Sequence, residues 1–170
     1  FHHVIDVAPT VLECAGLPQP LFVHGVQQMP LHGVSMKYTF DDAGAAERHE
    51  TQYFEMFVNR GIYHQGWTAV TRHSTPWVVE PLRPYDEDVW ELYDTRTDWS
   101  QAHDLAAAMP EKVAELQRLF LIEAVKYNVL PLDDRRIERL NSDLAGRPVL
   151  IHGKSQLLYS GMGRLSENTV

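Results

Sequence analysis

Thr51-Gln52-Tyr53-Phe54-Glu55-Met56-Phe57 is the stretch on which the fold turns, and Ile62-Tyr63-His64 resumes it after Asn59-Arg60-Gly61. Aromatic and β-branched side chains crowd these runs in the way a pleated, half-buried surface requires, and Asn59-Arg60-Gly61 has the composition of a turn. Trp67-Thr68-Ala69-Val70-Thr71-Arg72 alternates like a third strand. Trp90-Glu91-Leu92-Tyr93-Asp94 supplies another, with Trp90 and Leu92 on one face and Glu91 and Tyr93 on the other. The links are too short for most helical crossovers, so the runs predict a small antiparallel sheet, with strand order left open. Downstream, Pro110 suits a first helical turn, and Val113, Leu116, Phe120, Ala124 and Tyr127 recur at helical spacing up to Asn128. Laid across the sheet, that stripe closes an α+β unit: a small antiparallel sheet packed by a long C-terminal helix. Core packing accounts for the stripe more simply than partner binding does.

Upstream, Asp6 can accept amides at a helix start, Pro9 fits the first turn and Gly16 can end the helix. Val7, Val11 and Cys14 then share a face, which predicts a short buried helix with Cys14 as a core thiol. Pro18, Pro20, Gly25, Pro30 and Gly33 punctuate an irregular excursion. Val34 to Phe40 reads as a short extended piece, ending at Asp41-Asp42-Ala43-Gly44. Those two carboxylates lack the spaced oxygens of a calcium loop and read as a solvated turn. Beyond Asn128 the pattern loosens. Asp133-Asp134-Arg135-Arg136 reads as a solvated charge cluster, Pro148 to Ile151 and Gln156 to Tyr159 as short extended elements, and Gly161-Met162-Gly163 as a breaker.

Composition narrows the function. The chain has 170 residues and a formal charge of −8, with no Lys/Arg run, which opposes general nucleic-acid binding. Its apolar stretches fall short of the roughly 20 residues that span a bilayer, so no membrane span is expected. One cysteine excludes an internal disulfide. The start at Phe1, with an apolar segment from Val4, reads as the interior of a longer polypeptide, although processing or deliberate truncation produces the same start.

No reaction centre is legible. The nine histidines, His2, His3, His24, His32, His49, His64, His73, His103 and His152, repeat no zinc-finger spacing and include no H-E-x-x-H pair; His24 and His32 could still converge through a loop. Gly33-Val34-Ser35-Met36 lacks the second glycine of a G-x-S-x-G elbow. Ser155 follows no phosphate-binding loop, and Cys14 lacks a nearby charge constellation that would explain thiolate activation. Arg60, His64, Arg72 and His73 are the candidates for substrate contact. Paired strands could gather several of them at one sheet edge, where cations recognise anions. Pairing with Asp and Glu, or exposure to water, is the competing account.

Together, the run from His3 through Asp6-Val7-Ala8-Pro9-Thr10 to Leu17, the run Trp90-Glu91-Leu92-Tyr93-Asp94 and the run His103-Asp104-Leu105-Ala106 resemble the carboxyl-terminal portion of a bacterial-type arylsulfatase. The likeness is strongest from His3 to Val129. It implies a fragment of an enzyme similar to alkaline phosphatases in its large α/β domain. Residues 1–33 would be the tail of that domain and a linker, 34–129 the small C-terminal α+β subdomain, and 130–170 an irregular or β-containing extension, itself incomplete. Such enzymes cleave sulfate esters with a formylglycine made from Cys or Ser within C-x-P-x-R, and with a divalent cation, generally Ca2+. Here Cys14 stands in Cys14-Ala15-Gly16, and the family's acidic ligands and catalytic Lys and His groups lie upstream of Phe1. No catalytic, cofactor-binding or metal residue is therefore carried over. The expected partners are an upstream catalytic domain of the same polypeptide and a small sulfated substrate, and the segment alone is expected to be inactive. A related phosphatase or phosphonate hydrolase fragment, and a noncatalytic interaction domain, are the competing readings.

Overall fold

The computed structural model describes residues 1–75, 77–78, 83–132 and 134. The readings placed on residues 135–170 and on Asp133 lie outside that set. The sheet is a four-stranded antiparallel meander of β3 (Thr51–Met56), β4 (Asn59–His64), β5 (Trp67–Thr71) and β6 (Trp90–Asp94), in that order. Two further short strands, β1 (Phe22–Val23) and β2 (Val26–Gln27), form a separate hairpin. That hairpin lies inside the stretch expected to be irregular, where strands of two residues leave no period-2 pattern to read.

Register explains the packing. Tyr53, Ile62, Ala69 and Leu92 lie abreast, so alternation sends them to one face. Helix α2 (Pro110–Lys126) crosses that face, and Leu116, Phe120 and Ala124 meet Ile62, Ala69 and Leu92 in a fully buried cluster closed by Val129. The predicted stripe is thus the core, and each large side chain buried there contributes about 1.5–3 kcal/mol. Trp90 sets its edge against Phe120, ring centroids 6.1 Å apart. The helix stops two residues short of the predicted end. Asn128 takes a left-handed φ of 57°, and its N–H bonds back to Val125 O at 3.2 Å.

The first hairpin turns at Phe57-Val58, not at Asn59-Arg60-Gly61, which belongs to β4. Both turn residues have positive φ, 52° and 66°, matching a two-residue turn to the sheet twist. A β-branched residue resists that conformation. Val58 is nevertheless fully buried, and its N–H donates to Glu55 Oε1 at 2.8 Å, so tertiary burial overrides the turn composition. The second turn, Gln65-Gly66, uses a glycine at φ 86°.

Helix α1 (Val7–Ala15) ends at Gly16 in the left-handed conformation, as the sequence predicts. Its orientation does not follow the prediction. Asp6 and Thr10 point inward, whereas Val7 and Val11 are exposed, and so is Cys14, which is therefore not a core thiol. The reason lies in the hydrogen bonds. Asp6 accepts from His3 N and Val34 N, each at 2.8 Å, and Thr10 Oγ1 bridges Asp6 O and Met36 N, so α1 docks by its polar edge. Val34 to Phe40 is likewise not extended. It runs into a short 3-10 helix, Lys37–Thr39, because Val34 and Met36 spend their amides on Asp6 and Thr10. The exposed Asp41-Asp42 turn is as expected, with Gly44 N donating to Asp42 Oδ1 at 2.9 Å.

Candidate functional site

A groove of about 1300 Å³ runs along the sheet face away from α2 and around the β3 edge. Phe54, Val70, Arg72 and Glu91 line one part, while His3, Ile5, Val34, His49 and Gln52 line another. Its walls mix apolar side chains with the cations Arg48, Arg60, Arg72 and Lys126 and the carboxylates Glu50, Glu55, Glu91 and Glu123. Tyr63, beside the groove, donates to Glu47 at 2.6 Å, and burial, then that carboxylate, pushes its phenol well above the ordinary value. Burial and Glu91 push the Tyr93 phenol up to about 12. Both phenols therefore remain donors at neutral pH.

Strand alternation divides the four candidate cations. Arg60 and His73 lie toward the α2 face, at one end of the sheet. Arg72 falls on the opposite face, exposed at the groove rim. His64 sits at the far end of β4, where its Nδ1 hydrogen bonds Thr51 Oγ1 at 2.8 Å. Pairing with a carboxylate, rather than free presentation, describes Arg60 and His73. Both converge on the buried Asp88, which also takes Arg83 Nε at 3.0 Å. His73 Nδ1 is 2.9 Å from Asp88 Oδ2, and Tyr85 packs beside the imidazole with centroids 4.9 Å apart. His73 Nε2 and Arg60 Nε are buried without a hydrogen-bond partner among the described residues, although Asp134 Oδ2 lies 3.7 Å from the former. Within the cluster expected from Asp133 to Arg136, Asp134 is thus drawn toward a buried histidine. Asp88 and Arg83 escaped the sequence reading because each sits in an irregular link without periodicity.

A second buried constellation was also missed. His49 Nδ1 approaches both carboxylate oxygens of Asp6, at 2.8 and 2.9 Å, and its Nε2 faces Gln52 Oε1 at 3.1 Å. The two partners lie 43 residues apart, a separation that no local motif encodes. Backbone donation from His3 and Val34, together with His49, holds the Asp6 carboxyl below its usual range even though burial, the largest influence, acts in the opposite sense. His24 and His32 belong to no group of three or more His, Cys, Asp or Glu among the described residues. His24 lies in the exposed β1–β2 turn, and His32 sets its ring against Tyr127. Among the described residues no three His, Cys, Asp or Glu side chains come together as a metal site, and none of their helices is long and apolar enough to cross a membrane.

No family model matches the chain. Solved structures do resemble it. Over 77% of its length it is similar to BT4656, solved in complex with its substrate D-glucosamine-2-N,6-O-disulfate, at 22% identity and a TM-score of 0.49. Over 72% it is similar to BT33336S-sulf, solved in work on the metabolism of multiple glycosaminoglycans by Bacteroides thetaiotaomicron, at 17% identity and a TM-score of 0.44. The chain spans 25% and 24% of those two chains respectively.

Two of the sequence blocks that carry the arylsulfatase resemblance touch each other. Asp104, from His103-Asp104-Leu105-Ala106, accepts Leu92 N at 2.9 Å and Ala106 N at 2.8 Å, and Leu105 N returns to Leu92 O at 2.8 Å. Asp104 thereby fastens the link before α2 to the end of the sheet. Asp104→Ala removes two acceptor contacts and should lower stability by about 1–3 kcal/mol in urea unfolding, with the slope unchanged.

Proposed function

We propose that this chain is the carboxyl-terminal part of a sulfuric ester hydrolase of arylsulfatase type, and that it acts as the small sheet domain and groove wall beside an upstream catalytic domain. The observation that carries this reading is the ordered set of sequence blocks, two of which meet through Asp104 and Leu92. The exposed apolar side of residues 1–33 supports it. Val4 is 75% exposed, Val11 60% and Met29 80%, a surface suited to packing against the body of a larger domain. Residues 34–129 would then be the small subdomain and 130–170 its extension. Calcium and a formylglycine nucleophile would belong to the upstream domain. The described residues bring no set of metal ligands together, and Cys14 lies on exposed α1 outside any C-x-P-x-R pattern, so no catalytic step is assigned to them. Their contribution is to hold the groove walls in place and to present cations such as Arg72 near a sulfated ligand.

Assaying the parent enzyme and this chain separately with an aryl sulfate tests the proposal. Sulfate release is expected from a matured, calcium-loaded parent and not from the chain alone. Release by the chain alone overturns the assignment of chemistry to the upstream domain. A parent that turns over aryl phosphates but not aryl sulfates overturns the reaction class.

A further inference from the structure

His49 is buried between two acceptors. The Asp6 carboxylate can only accept, so Nδ1 of His49 must donate. On the other side of the ring, Nε2 faces the oxygen of the Gln52 amide at 3.1 Å. That amide cannot be turned around without loss. Its nitrogen donates to Tyr53 O at 2.6 Å, and the reversed orientation would set two carbonyl oxygens against each other. Nε2 must therefore donate as well. We propose that His49 is a proton-dependent fastener: the doubly protonated ring alone satisfies both Asp6 and Gln52, and in that state it holds residues 3–36 to the edge of the sheet.

The rest of the unit depends on the same carboxylate. Asp6 also accepts His3 N and Val34 N, and Thr10 Oγ1 ties Asp6 O to Met36 N, so displacing Asp6 loosens the loop together with α1. The other charged or titratable groups around the ring are already engaged. His3 lies with its ring centroid 6.3 Å away, and Phe1 packs edge-on at 5.5 Å. From β4, the Tyr63 hydroxyl donates a hydrogen bond to Glu47. On the histidine's own segment Arg48 stacks over Tyr38, and Glu50 takes the Gln65 amide. Of these carboxylates, Asp6 is the one that touches the imidazole ring.

The sign follows from these contacts. As pH rises and the ring loses a proton, Nδ1–H stays on Asp6 and the Nε2 lone pair turns against the Gln52 oxygen, so attachment weakens. At the acid end Asp6 must be protonated, and because its carboxyl is held below the ordinary 3.8, attachment survives until the pH falls beneath that value.

Amide hydrogen exchange on the full chain reads this directly, because Val34 N–H and His3 N–H both donate to Asp6. Corrected for intrinsic exchange, Val34 protection should fall about tenfold as pH rises from about 5 to 8, the weight of one hydrogen bond, while sheet-interior amides such as that of Ile62 hold. Gln52→Glu gives Nε2–H a charged acceptor and should move that loss upward by about one pH unit. Nitrogen-15 shifts of the wild-type ring should show both nitrogens protonated at pH 6, a readout that needs no variant. A neutral His49 ring at pH 6, Val34 protection that does not change across the range, or an unmoved profile in a folded Gln52→Glu variant would each overturn the proposal.

Discussion

Asp88→Ala should lower the unfolding free energy by about 3–5 kcal/mol, the usual cost of removing one partner from a buried ion pair. The Asp88 side chain is fully buried, and Arg60, His73 and Arg83 all direct donors at it. Removing the carboxylate leaves the Arg60 guanidinium, 10% exposed, without its counter-charge. Trp90 and Tyr85 offer only ring faces in its place, at 5.4 and 5.8 Å. These contacts are too weak to offset the loss, each being worth about 0.5–2 kcal/mol and already present. Urea unfolding followed by tryptophan fluorescence measures the change. A companion Arg60→Met, Asp88→Leu pair should recover most of the stability, because replacing a buried pair by apolar groups is often neutral. A loss below about 1 kcal/mol in the single variant would mean that the cluster is solvated and not buried.

Gly33→Ala should cost about 2–5 kcal/mol, overpacking and an unsatisfied amide donor acting together. A Cβ at that position would stand 2.1 Å from Ile5 O and 2.5 Å from Ile5 C. These are backbone atoms of the short 3-10 helix Val4–Asp6, so no side chain can swing aside to make room. The loop must lift, which pulls Val34 N away from Asp6 Oδ1. Gly61→Ala is a useful comparison. There the added carbon would meet Val70 Cγ1 at 3.3 Å, a side-chain atom that can adjust, and Phe54 Cβ at 3.6 Å, an ordinary van der Waals contact. Thermal unfolding of the two variants side by side should place the Gly33 midpoint well below the Gly61 midpoint. Equal midpoints would show that the loop is not pressed against the helix.

These two positions also mark where sequence reading succeeds and fails. The sheet and α2 were legible because the periods of Tyr53, Ile62, Ala69 and Leu92 and of Leu116, Phe120 and Ala124 are written locally, and a period of two or of three to four fixes a face. Even there the turn was misplaced by two residues, since Val58 is held at positive φ by its burial and by Glu55 rather than by its own preference. Helix α1 had the right ends and the wrong orientation, because periodicity shows that an apolar stripe exists and does not say what it meets. Candidate chemistry was the least legible. Arg60 and His73 drew attention as residue types, whereas their partner Asp88 and the Asp6–His49 contact depend on separations of 15 to 43 residues that no short pattern carries.

The sheet runs β3-β4-β5-β6 in chain order, with every strand hydrogen bonded to its sequence neighbour. Topology of that kind has a kinetic consequence. Two of the three pairings close through two-residue turns, so little loop entropy opposes them, and α2 then lands on the sheet. Asp6 and His49 must instead find each other across 43 residues. Contact order therefore predicts a folding nucleus between Thr51 and Lys126 with the amino-terminal helix docking later, an order that φ-values in the two regions would test.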